Sequence, residues 1–240
     1  MVDDGAMTAA AAATHARFGC LDALIHSAGM SLPQEFESTT AQQFEQVLRV
    51  NVLGSRNAVA ACLPYLRRNA GGRITLVSSM AGQTGIFGFT AYSASKFALT
   101  GFAQALQMEV RRYGVYVTLV FPPDTDTPML AEENKHKPAE TAEISQGSGL
   151  FSADSVASAL VGGMASGAFT ATVGLDGWMS NALCGGMNPE SAWVTVVQAL
   201  VAGPLRAISM AYSWSFYRIV DKHWARKQGV SVSGMTGVVA

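Results

Sequence analysis

The sequence has few cysteines, and their positions exclude two classes of small protein. Three occur in 240 residues, Cys20, Cys62 and Cys184, and they lie far apart. Such spacing fits neither a disulfide framework nor a zinc site, so no metal centre is predicted. We therefore expect the chain to fold in a reducing compartment around a hydrophobic core.

Charge of either sign is also scarce. Lys and Arg number 16 against 17 Asp and Glu, giving a formal net charge of -1 without any dense basic run. Nucleic-acid-binding proteins normally carry a basic patch or stripe, so nucleic acid is excluded as a partner. Charged residues make up 14% of the chain, whereas about 25% is usual. With a mean hydropathy of +0.23, the chain is expected to have more apolar surface than an ordinary core accounts for.

Strand-like and helix-like segments alternate along the chain. Apolar runs at residues 21–26, 73–77, 115–121 and 169–174 predict strands, and residues 9–18, 40–57, 90–112 and 152–166 predict helices. This alternation is typical of an α/β protein with a Rossmann-like, doubly wound parallel sheet. Residues 122–143, rich in proline and charge, predict a loop that acts as a lid.

Four polar side chains occupy positions that predict a functional site. Ser79 follows the strand at residues 73–77, and ligands bind beyond the carboxyl ends of parallel strands. Tyr92 and Lys96 lie four residues apart on a predicted helix, so their side chains share one face about 5–6 Å apart. The ammonium is expected to lower the tyrosine pKa below about 10 and make the phenol a general acid or base. Asn51 is unfavourable in mid-helix, which indicates a functional or packing role.

Each of these residues also has a structural explanation. Tyr92 and Lys96 fit a solvated helix face, Ser79 fits a turn, and Asn51 fits a helix residue with satisfied hydrogen bonds. The functional interpretation is favoured because four sequence elements occur in a set order along the chain. They are the Ser27-Ala28-Gly29 turn, the helix with Asn51, the strand end with Ser79, and the pair Tyr92 and Lys96.

Taken together, the ordered pieces resemble the catalytic set of the short-chain dehydrogenase/reductase family. The resemblance implies an NADPH-dependent oxidoreductase whose catalytic residues are Asn51, Ser79, Tyr92 and Lys96. Ser79 would donate a hydrogen bond to a carbonyl oxygen, Tyr92 would supply the proton, and the reduced nicotinamide would supply the hydride. Asn51 would support a water-mediated proton relay to Lys96.

The same resemblance implies a set of cofactor contacts. Ser27-Ala28-Gly29 is similar to the family's Asn-Asn-Ala-Gly stretch, although His26 and Ser27 replace both asparagines. We expect His26 to be a satisfied strand-end histidine. Residues 122–127 are similar to the family's Pro-Gly-x-x-x-Thr segment. The implied cofactor-binding residues are Ser27, Ala28, Gly29, Asn51, Tyr92, Lys96, Pro122, Thr125 and Thr127.

Within this family the chain resembles the 3-ketodihydrosphingosine reductases, also called 3-dehydrosphinganine reductases. The resemblance is carried by Pro122-Pro123-Asp124-Thr125-Asp126-Thr127-Pro128, by residues 131–138 and by Gly174-Leu175-Asp176-Gly177-Trp178-Met179. It implies reduction of the long-chain keto-lipid 3-ketodihydrosphingosine to dihydrosphingosine in sphingolipid biosynthesis, on the cytosolic face of the endoplasmic reticulum membrane. A reductase of another lipid or steroid ketone is the alternative.

The C-terminal tail is apolar and carries aromatic residues toward its two ends. Residues 191–220 contain only Arg206 and Arg218 as charges, and Gly203-Pro204 divides them into pieces near or below the roughly 20 residues that span a bilayer. We expect a re-entrant hairpin or interfacial helices on a membrane surface, with the basic cluster at residues 218–227 contacting anionic headgroups. Burial in a homodimer is the alternative. The predicted domains are residues 1–185 (dehydrogenase), 186–228 (tail) and 229–240 (disordered).

The sequence lacks the glycine-rich turn that binds a pyrophosphate after a first strand. The residue that selects between NAD and NADP is missing with it. The strand at residues 21–26 is expected to keep an unpaired edge, and the domain to be poorly stable. We expect a partial gene product, and a non-catalytic remnant that binds lipid or protein through its tail is therefore a further alternative.

Overall fold

A computed structural model of the chain describes residues 3–68 and 71–230, in which helices flank a parallel sheet. The helices are α1 (Asp4–Phe18), α2 (Ala41–Leu48), α3 (Gly54–Leu66), α4 (Thr90–Val110), α5 (Pro128–His136), α6 (Ala139–Ser145), α7 (Ala153–Ser166), α8 (Gly174–Cys184) and α9 (Ala192–Gln228). The strands are β1 (Ala23–His26), β2 (Arg73–Val77), β3 (Tyr116–Phe121), β4 (Thr125–Asp126), β5 (Phe151–Ser152) and β6 (Thr170–Thr172). The predicted Rossmann-like α/β fold is confirmed. The end of the predicted disordered segment, residues 231–240, lies outside the described residues.

The main sheet has the order β1-β2-β3-β6, and all its neighbours are parallel. Successive side chains of a strand point to opposite faces, which separates two apolar clusters. Val117 and Leu119 of β3 are fully buried in the larger cluster, together with residues of α3 and α4. Val120 faces the other way and packs against Leu160 of α7. The helices therefore bury both faces of the sheet and fix the carboxyl ends of its strands.

Strand β1 lies at an edge of this sheet. Within the described residues it pairs only with β2, and the side chain of Ile25 is 46% exposed. The unpaired edge predicted from the sequence is confirmed. Exposed apolar strand edges are sites where a further strand or chain can pair.

The helix predicted at residues 40–57 is longer and contains a π-helical turn. α2 begins with a capping box between Thr40 and Gln43, and a π-helical turn at Arg49–Leu53 joins it to α3. π-turns are rare and are often found at functional sites. Asn51 lies inside this turn and is buried, so the sequence-based position in mid-helix is confirmed.

The prediction of a loop over residues 122–143 is wrong. After β4 this region forms α5 and α6. The Thr127 hydroxyl accepts a hydrogen bond from Leu130 N at 3.3 Å, Pro128 occupies the first helical turn, and Lys135 and His136 lie in the last turn. These are normal signals for the start and end of a helix. The loop prediction is wrong because it gives more weight to the proline and charge content than to these signals.

The prediction that Gly203-Pro204 divides the tail is also wrong. α9 runs for 37 residues with Pro204 in its interior, from a Ser191 cap to Gly229 in the left-handed conformation. Pro204 removes only one backbone hydrogen bond, and the long helical stretches on both sides of it keep theirs. α9 packs against α8 and α6, and this tertiary packing favours a continuous helix over a hairpin.

Ion pairs attach the C-terminal end of α9 to the domain. Lys222 Nζ and His223 Nε2 lie 2.9 and 2.8 Å from the two Glu143 carboxylate oxygens. Lys227 Nζ lies 2.8 Å from Glu140 and 3.1 Å from Glu35. Three members of the predicted headgroup-binding cluster are thus used within the protein, which corrects that part of the prediction.

One face of α9 is apolar and exposed. Apart from Ile208 and Tyr212, which lie on another side of the helix, its exposed large side chains follow a helical spacing and are Trp193, Val196, Leu200, Met210, Trp214, Tyr217 and Trp224, which we name the outer stripe. By length and composition alone, α9 could also cross a membrane. The apolar surface inferred from composition is therefore concentrated on this helix.

The buried Glu140 carboxylate gives a prediction for α9 docking. Burial acts to raise the pKa of Glu140, but Lys227 outweighs this effect and holds the pKa below its ordinary range. Glu140→Gln should lower the free energy of unfolding by about 1 kcal/mol at pH 7, as measured by denaturant titration in detergent. Because the folded-state pKa is lowered, the contribution is present above the ordinary carboxyl pKa of about 4.3 and is lost as pH falls below it.

Glu132→Gln is the matched control, because Glu132 pairs with Lys135 on the exposed side of α5. Exposed pairs contribute little, so this variant should stay within about 0.5 kcal/mol of the parent. Equal effects of the two substitutions would contradict the docking role of Glu140.

Candidate active site

A cavity of about 590 Å³ opens at the carboxyl ends of β2 and β3. Ser79, Tyr92 and Lys96 all line it, as do residues of α5, α8 and α9. Loops and helix termini meet at this edge of a parallel sheet, which is where α/β proteins bind ligands. The structure therefore brings three of the four predicted catalytic side chains into one space.

The two serines after β2 have different surroundings. Ser79 has an extended backbone, and its Oγ accepts a hydrogen bond from Ala81 N at 3.1 Å. Ser78 is buried, and its Oγ donates to the backbone oxygen of Lys96 at 3.1 Å. Gly82 packs against this junction so closely that a Cβ there would lie 2.5 Å from Ser78 Oγ. Ser78 thus attaches α4 to the sheet, and Ser79 keeps a hydroxyl proton to donate.

Tyr92 and Lys96 share the cavity face of α4. Lys96 Nζ lies 5.5 Å from the centre of the Tyr92 ring and donates a hydrogen bond to Val77 O at 2.9 Å. Both side chains are buried. An ammonium has three donors, so Lys96 can hold the sheet and still donate toward the cavity.

The expected lowering of the Tyr92 pKa is wrong. Burial raises the pKa of Tyr92, since a phenolate loses hydration there; the nearby Ser79 hydroxyl opposes this effect, and the charges of Glu133 and Asp124 add to it. Burial likewise lowers the pKa of Lys96 to about 8, with the charge of Glu133 acting in the opposite direction. Tyr92 is therefore protonated at neutral pH, as a proton donor must be before it reacts.

Asn51 lies behind the cavity and not in its wall. Its side chain accepts from Met30 N at 2.8 Å and donates to Met30 O and Ser95 Oγ, each at 2.9 Å. Ser95 Oγ in turn donates to Tyr92 O at 2.7 Å. Asn51 thus connects the loop after β1 to α4, and its side chain positions residues that reach the cavity.

Most of the predicted cofactor-binding residues surround the same space. Besides Tyr92 and Lys96, the cavity is lined by Ser27, Gly29, Pro122, Thr125 and Thr127, whereas Ala28 and Asn51 do not line it. A Cβ on Gly29 would lie 3.1 Å from Asn51 Oδ1 and 3.6 Å from Lys96 Nζ. Because Gly29 has no side chain, the space beside the Lys96 ammonium stays open. The residues present therefore fit the nicotinamide half of a dinucleotide.

Two of the predicted cofactor-binding residues use their hydroxyl groups in hydrogen bonds within the protein. The Thr127 hydroxyl donates to Thr125 O at 3.2 Å while it caps α5, and Thr125 Oγ1 donates to Pro123 O at 2.9 Å. Met80 N donates to Pro122 O at 3.0 Å, which joins the loop after β3 to that after β2. These bonds fix the shape of the cavity floor.

His26 differs from the sequence-based expectation. It is buried at the end of β1, and its Nε2 makes no hydrogen bond within residues 3–68 and 71–230. Burial, and secondarily the charge of Lys96, lower its pKa. His26 is therefore neutral at pH 7, and the prediction of satisfied hydrogen bonds is wrong.

The structure adds cavity residues that sequence reasoning missed. Met129, Leu130 and Glu133 face the cavity from α5, and Leu205, Arg206, Ile208, Ser209, Tyr212, Ser213 and Phe216 face it from α9. The α5 residues follow helical spacing, which could have indicated them had a helix been predicted there. No local signal in the sequence connects α9 with the cavity.

Comparisons with known proteins agree with this geometry. The sequence profile of the short chain dehydrogenase family matches residues 1–138. The chain is 45% identical over 207 residues to 3-dehydrosphinganine reductase of Danio rerio, covering 86% of this chain and 62% of that protein. It is 43% identical over 212 residues to 3-ketodihydrosphingosine reductase of Mus musculus, covering 88% and 64%. The chain thus spans less than two thirds of these curated relatives.

A solved structure is similar in fold. It is the crystal structure of a short chain dehydrogenase from Mycobacterium paratuberculosis bound to NAD, with a TM-score of 0.61 and 26% sequence identity. The match covers 68% of this chain and 64% of that one.

The buried Lys96 predicts a pH dependence of stability. Between its folded pKa of about 8 and the ordinary value of about 10.4, the unfolded chain binds more protons than the folded chain. Wild-type stability should therefore rise with pH over this interval relative to Lys96→Met, by about 1–3 kcal/mol. Denaturant titrations of both proteins from pH 7 to 10 measure the difference between their free energies of unfolding. Groups that titrate alike in both proteins do not contribute to that difference. Parallel profiles would show that Lys96 titrates normally.

Proposed function

The chain belongs to the short-chain dehydrogenase family, and from this premise we propose that it catalyses the NADPH-dependent reduction of 3-ketodihydrosphingosine to dihydrosphingosine. The observation that carries the proposal is the single cavity in which Ser79, Tyr92 and Lys96 meet the apolar wall of α9. Relatives that are 3-ketodihydrosphingosine reductases by name support the choice of substrate.

The catalytic roles follow from the surroundings of each side chain. Ser79 donates a hydrogen bond to the ketone oxygen, where negative charge develops. Tyr92 transfers its phenolic proton to that oxygen, and the ammonium of Lys96, 5.5 Å from the ring centre, stabilises the phenolate that remains. Asn51 keeps α4 and the loop after β1 in register and supports the proton relay to Lys96.

When bound, NADPH supplies the hydride for this reaction. The residues that would hold and shape the site for its nicotinamide half are the cofactor set predicted from the sequence, which is Ser27, Ala28, Gly29, Asn51, Tyr92, Lys96, Pro122, Thr125 and Thr127. Asn51 and Ala28 act there from behind the cavity wall, since neither lines it. Lys96 contributes the donors that Val77 O does not use.

The apolar wall of α9 suits the alkyl chain of the substrate. Leu205, Ile208 and Phe216 face the cavity from α9, opposite Met129 and Leu130 of α5. Ligand pockets of this size range accommodate small-molecule ligands, and burying each CH₂ contributes about 0.8 kcal/mol. A long-chain ketone thus gains binding energy from α9 that a short ketone does not.

The proposed location is the cytosolic face of the endoplasmic reticulum membrane, with α9 lying in the interface. Packing against α8 and the ion pairs to α6 hold α9 along the domain. These contacts favour a helix that lies in the membrane interface over one that projects away from the domain. The outer stripe then faces lipid, with Trp193 and Trp224 near its ends. The proposed division of the chain is a dehydrogenase domain at residues 1–185 and a membrane-associated tail at residues 186–228.

Tyr92→Phe tests the catalytic assignment. In the full chain in detergent, this variant should reduce 3-ketodihydrosphingosine at least about 100-fold more slowly, because the proton donor is gone. NADPH binding, followed by energy transfer from tryptophan to the reduced nicotinamide, should remain. Tyr113→Phe is the control, since Tyr113 lies beyond α4 and away from the cavity. Retained turnover in Tyr92→Phe, or no saturable NADPH binding by the parent chain, would contradict the proposed function.

Chain-length selectivity tests the assignment of α9. Ser209 faces the cavity and Ala207 does not, so Ser209→Phe and Ala207→Phe place the same bulk on two sides of one helix. Ser209→Phe should lower kcat/KM for the long-chain ketone about tenfold more than for a short-chain ketone. Ala207→Phe should leave the ratio of the two unchanged. A similar ratio in both variants would place the alkyl chain elsewhere.

A further inference from the structure

Glu133 is the carboxylate on the cavity face of α5. It follows Met129 by four residues and Leu130 by three, and all three side chains line the cavity. Its neighbour Glu132 is exposed and pairs with Lys135. α5 therefore presents two apolar side chains and one acid to the reaction space, and keeps its other acid in solvent.

The Glu133 carboxylate has no permanent cationic partner. Within residues 3–68 and 71–230 it forms no ion pair, and Lys137, one turn later on the chain, pairs with Asp124 at 3.6 Å. The Ser31 hydroxyl is close enough to act on this carboxylate as a hydrogen-bond donor, and its oxygen is buried without a hydrogen bond of regular geometry in that part of the chain. The carboxylate therefore keeps acceptor capacity for a ligand.

Burial makes this arrangement unfavourable for the protein alone. It raises the pKa of Glu133, although Ser31 and then Lys137 oppose the shift. An acid held in a cleft against such a cost is a candidate for a functional role. A cationic ligand would restore the charged form and offset the lost hydration.

The position of Glu133 within the cavity also matters for a bound cation. Among the described residues, the charged side chains that line it are Asp124, Glu133, Asp176, Lys96 and Arg206. Asp124 is paired with Lys137, which leaves two acids and two bases, so the location of Glu133 and not the net charge of the lining carries the argument. Glu133 is close enough to the reaction centre to act electrostatically on both Tyr92 and Lys96. A cation bound to Glu133 would thus share the cavity with the carbonyl that Tyr92 protonates.

We propose that Glu133 is a specificity residue that binds the protonated amine of an α-amino ketone and so orients its carbonyl toward Ser79 and Tyr92. The inference rests on the proposed function, because the amine of 3-ketodihydrosphingosine is attached to the carbon next to the ketone. A charged hydrogen bond from this ammonium to Glu133 fixes which face of the carbonyl is presented. Ketones without the amine lack this contact and bind through their alkyl chain alone.

The test compares two ketones that differ only in the amine. These are 3-ketodihydrosphingosine, which is 2-amino-1-hydroxyoctadecan-3-one, and 1-hydroxyoctadecan-3-one. Glu133→Gln should raise KM for the amino ketone at least about tenfold more than for its partner, since only the amino ketone loses a charged hydrogen bond. Glu133→Asp keeps the charge and should recover part of the preference. Glu132→Gln, which changes the exposed neighbouring acid, should leave the preference as in the parent.

A second measurement separates this inference from the proposed reaction. Quenching of tryptophan fluorescence by dihydrosphingosine and by the matching 1,3-diol without the amine gives their dissociation constants in the parent and in Glu133→Gln. A parent preference for the amine that disappears in Glu133→Gln supports the inference even if the chain reduces neither ketone, an outcome that would reject the proposed function alone. Equal losses for both ketones would mean that Glu133 acts through Tyr92 or the fold, and unchanged preferences would mean that the amine binds elsewhere. Either result overturns the inference.

Discussion

The junction between Lys96 and the end of β2 is the interaction on which the rest of the site depends. Lys96 Nζ donates to Val77 O, and its own backbone oxygen accepts from Ser78. These two bonds attach α4 to the strand, and the close packing of Gly82 holds them in place. Because Ser79 follows the strand and Tyr92 precedes Lys96 by one helical turn, a single junction sets the relative positions of all three candidate catalytic groups.

The order of strands and helices around this junction could be predicted from the sequence. The strand at Arg73–Val77 has the predicted bounds, and α4 begins at Thr90 as predicted. These elements have strong local signals, namely apolar runs and glycine turns. The proximity of Tyr92 and Lys96 followed from helical spacing alone.

The errors concern properties that depend on tertiary packing. Spacing shows that Lys96 is near Tyr92 but not that both are buried, and burial is the main cause that raises the Tyr92 pKa. In α9, the sequence predicts a helix break at Pro204, whereas contacts with α6 and α8 favour one continuous helix. The role of Glu133 was missed for a related reason, since its position on a cavity face exists only once α5 is recognised as a helix.

The apolar side chains on both the cavity face and the outer stripe of α9 change how binding energy should be counted. In the proposed membrane-bound state, one face of α9 lines the cavity and the outer stripe faces lipid, so an alkyl chain that enters the cavity from a bilayer exchanges one largely apolar environment for another. The transfer energy of about 0.8 kcal/mol per CH₂ applies to leaving water, and little of it remains for exchange between two apolar phases. Partitioning would then make every long-chain lipid of the membrane a competitor of nearly equal affinity. Discrimination among them would have to come from polar side chains that line the cavity, such as Ser79, Tyr92 and Glu133.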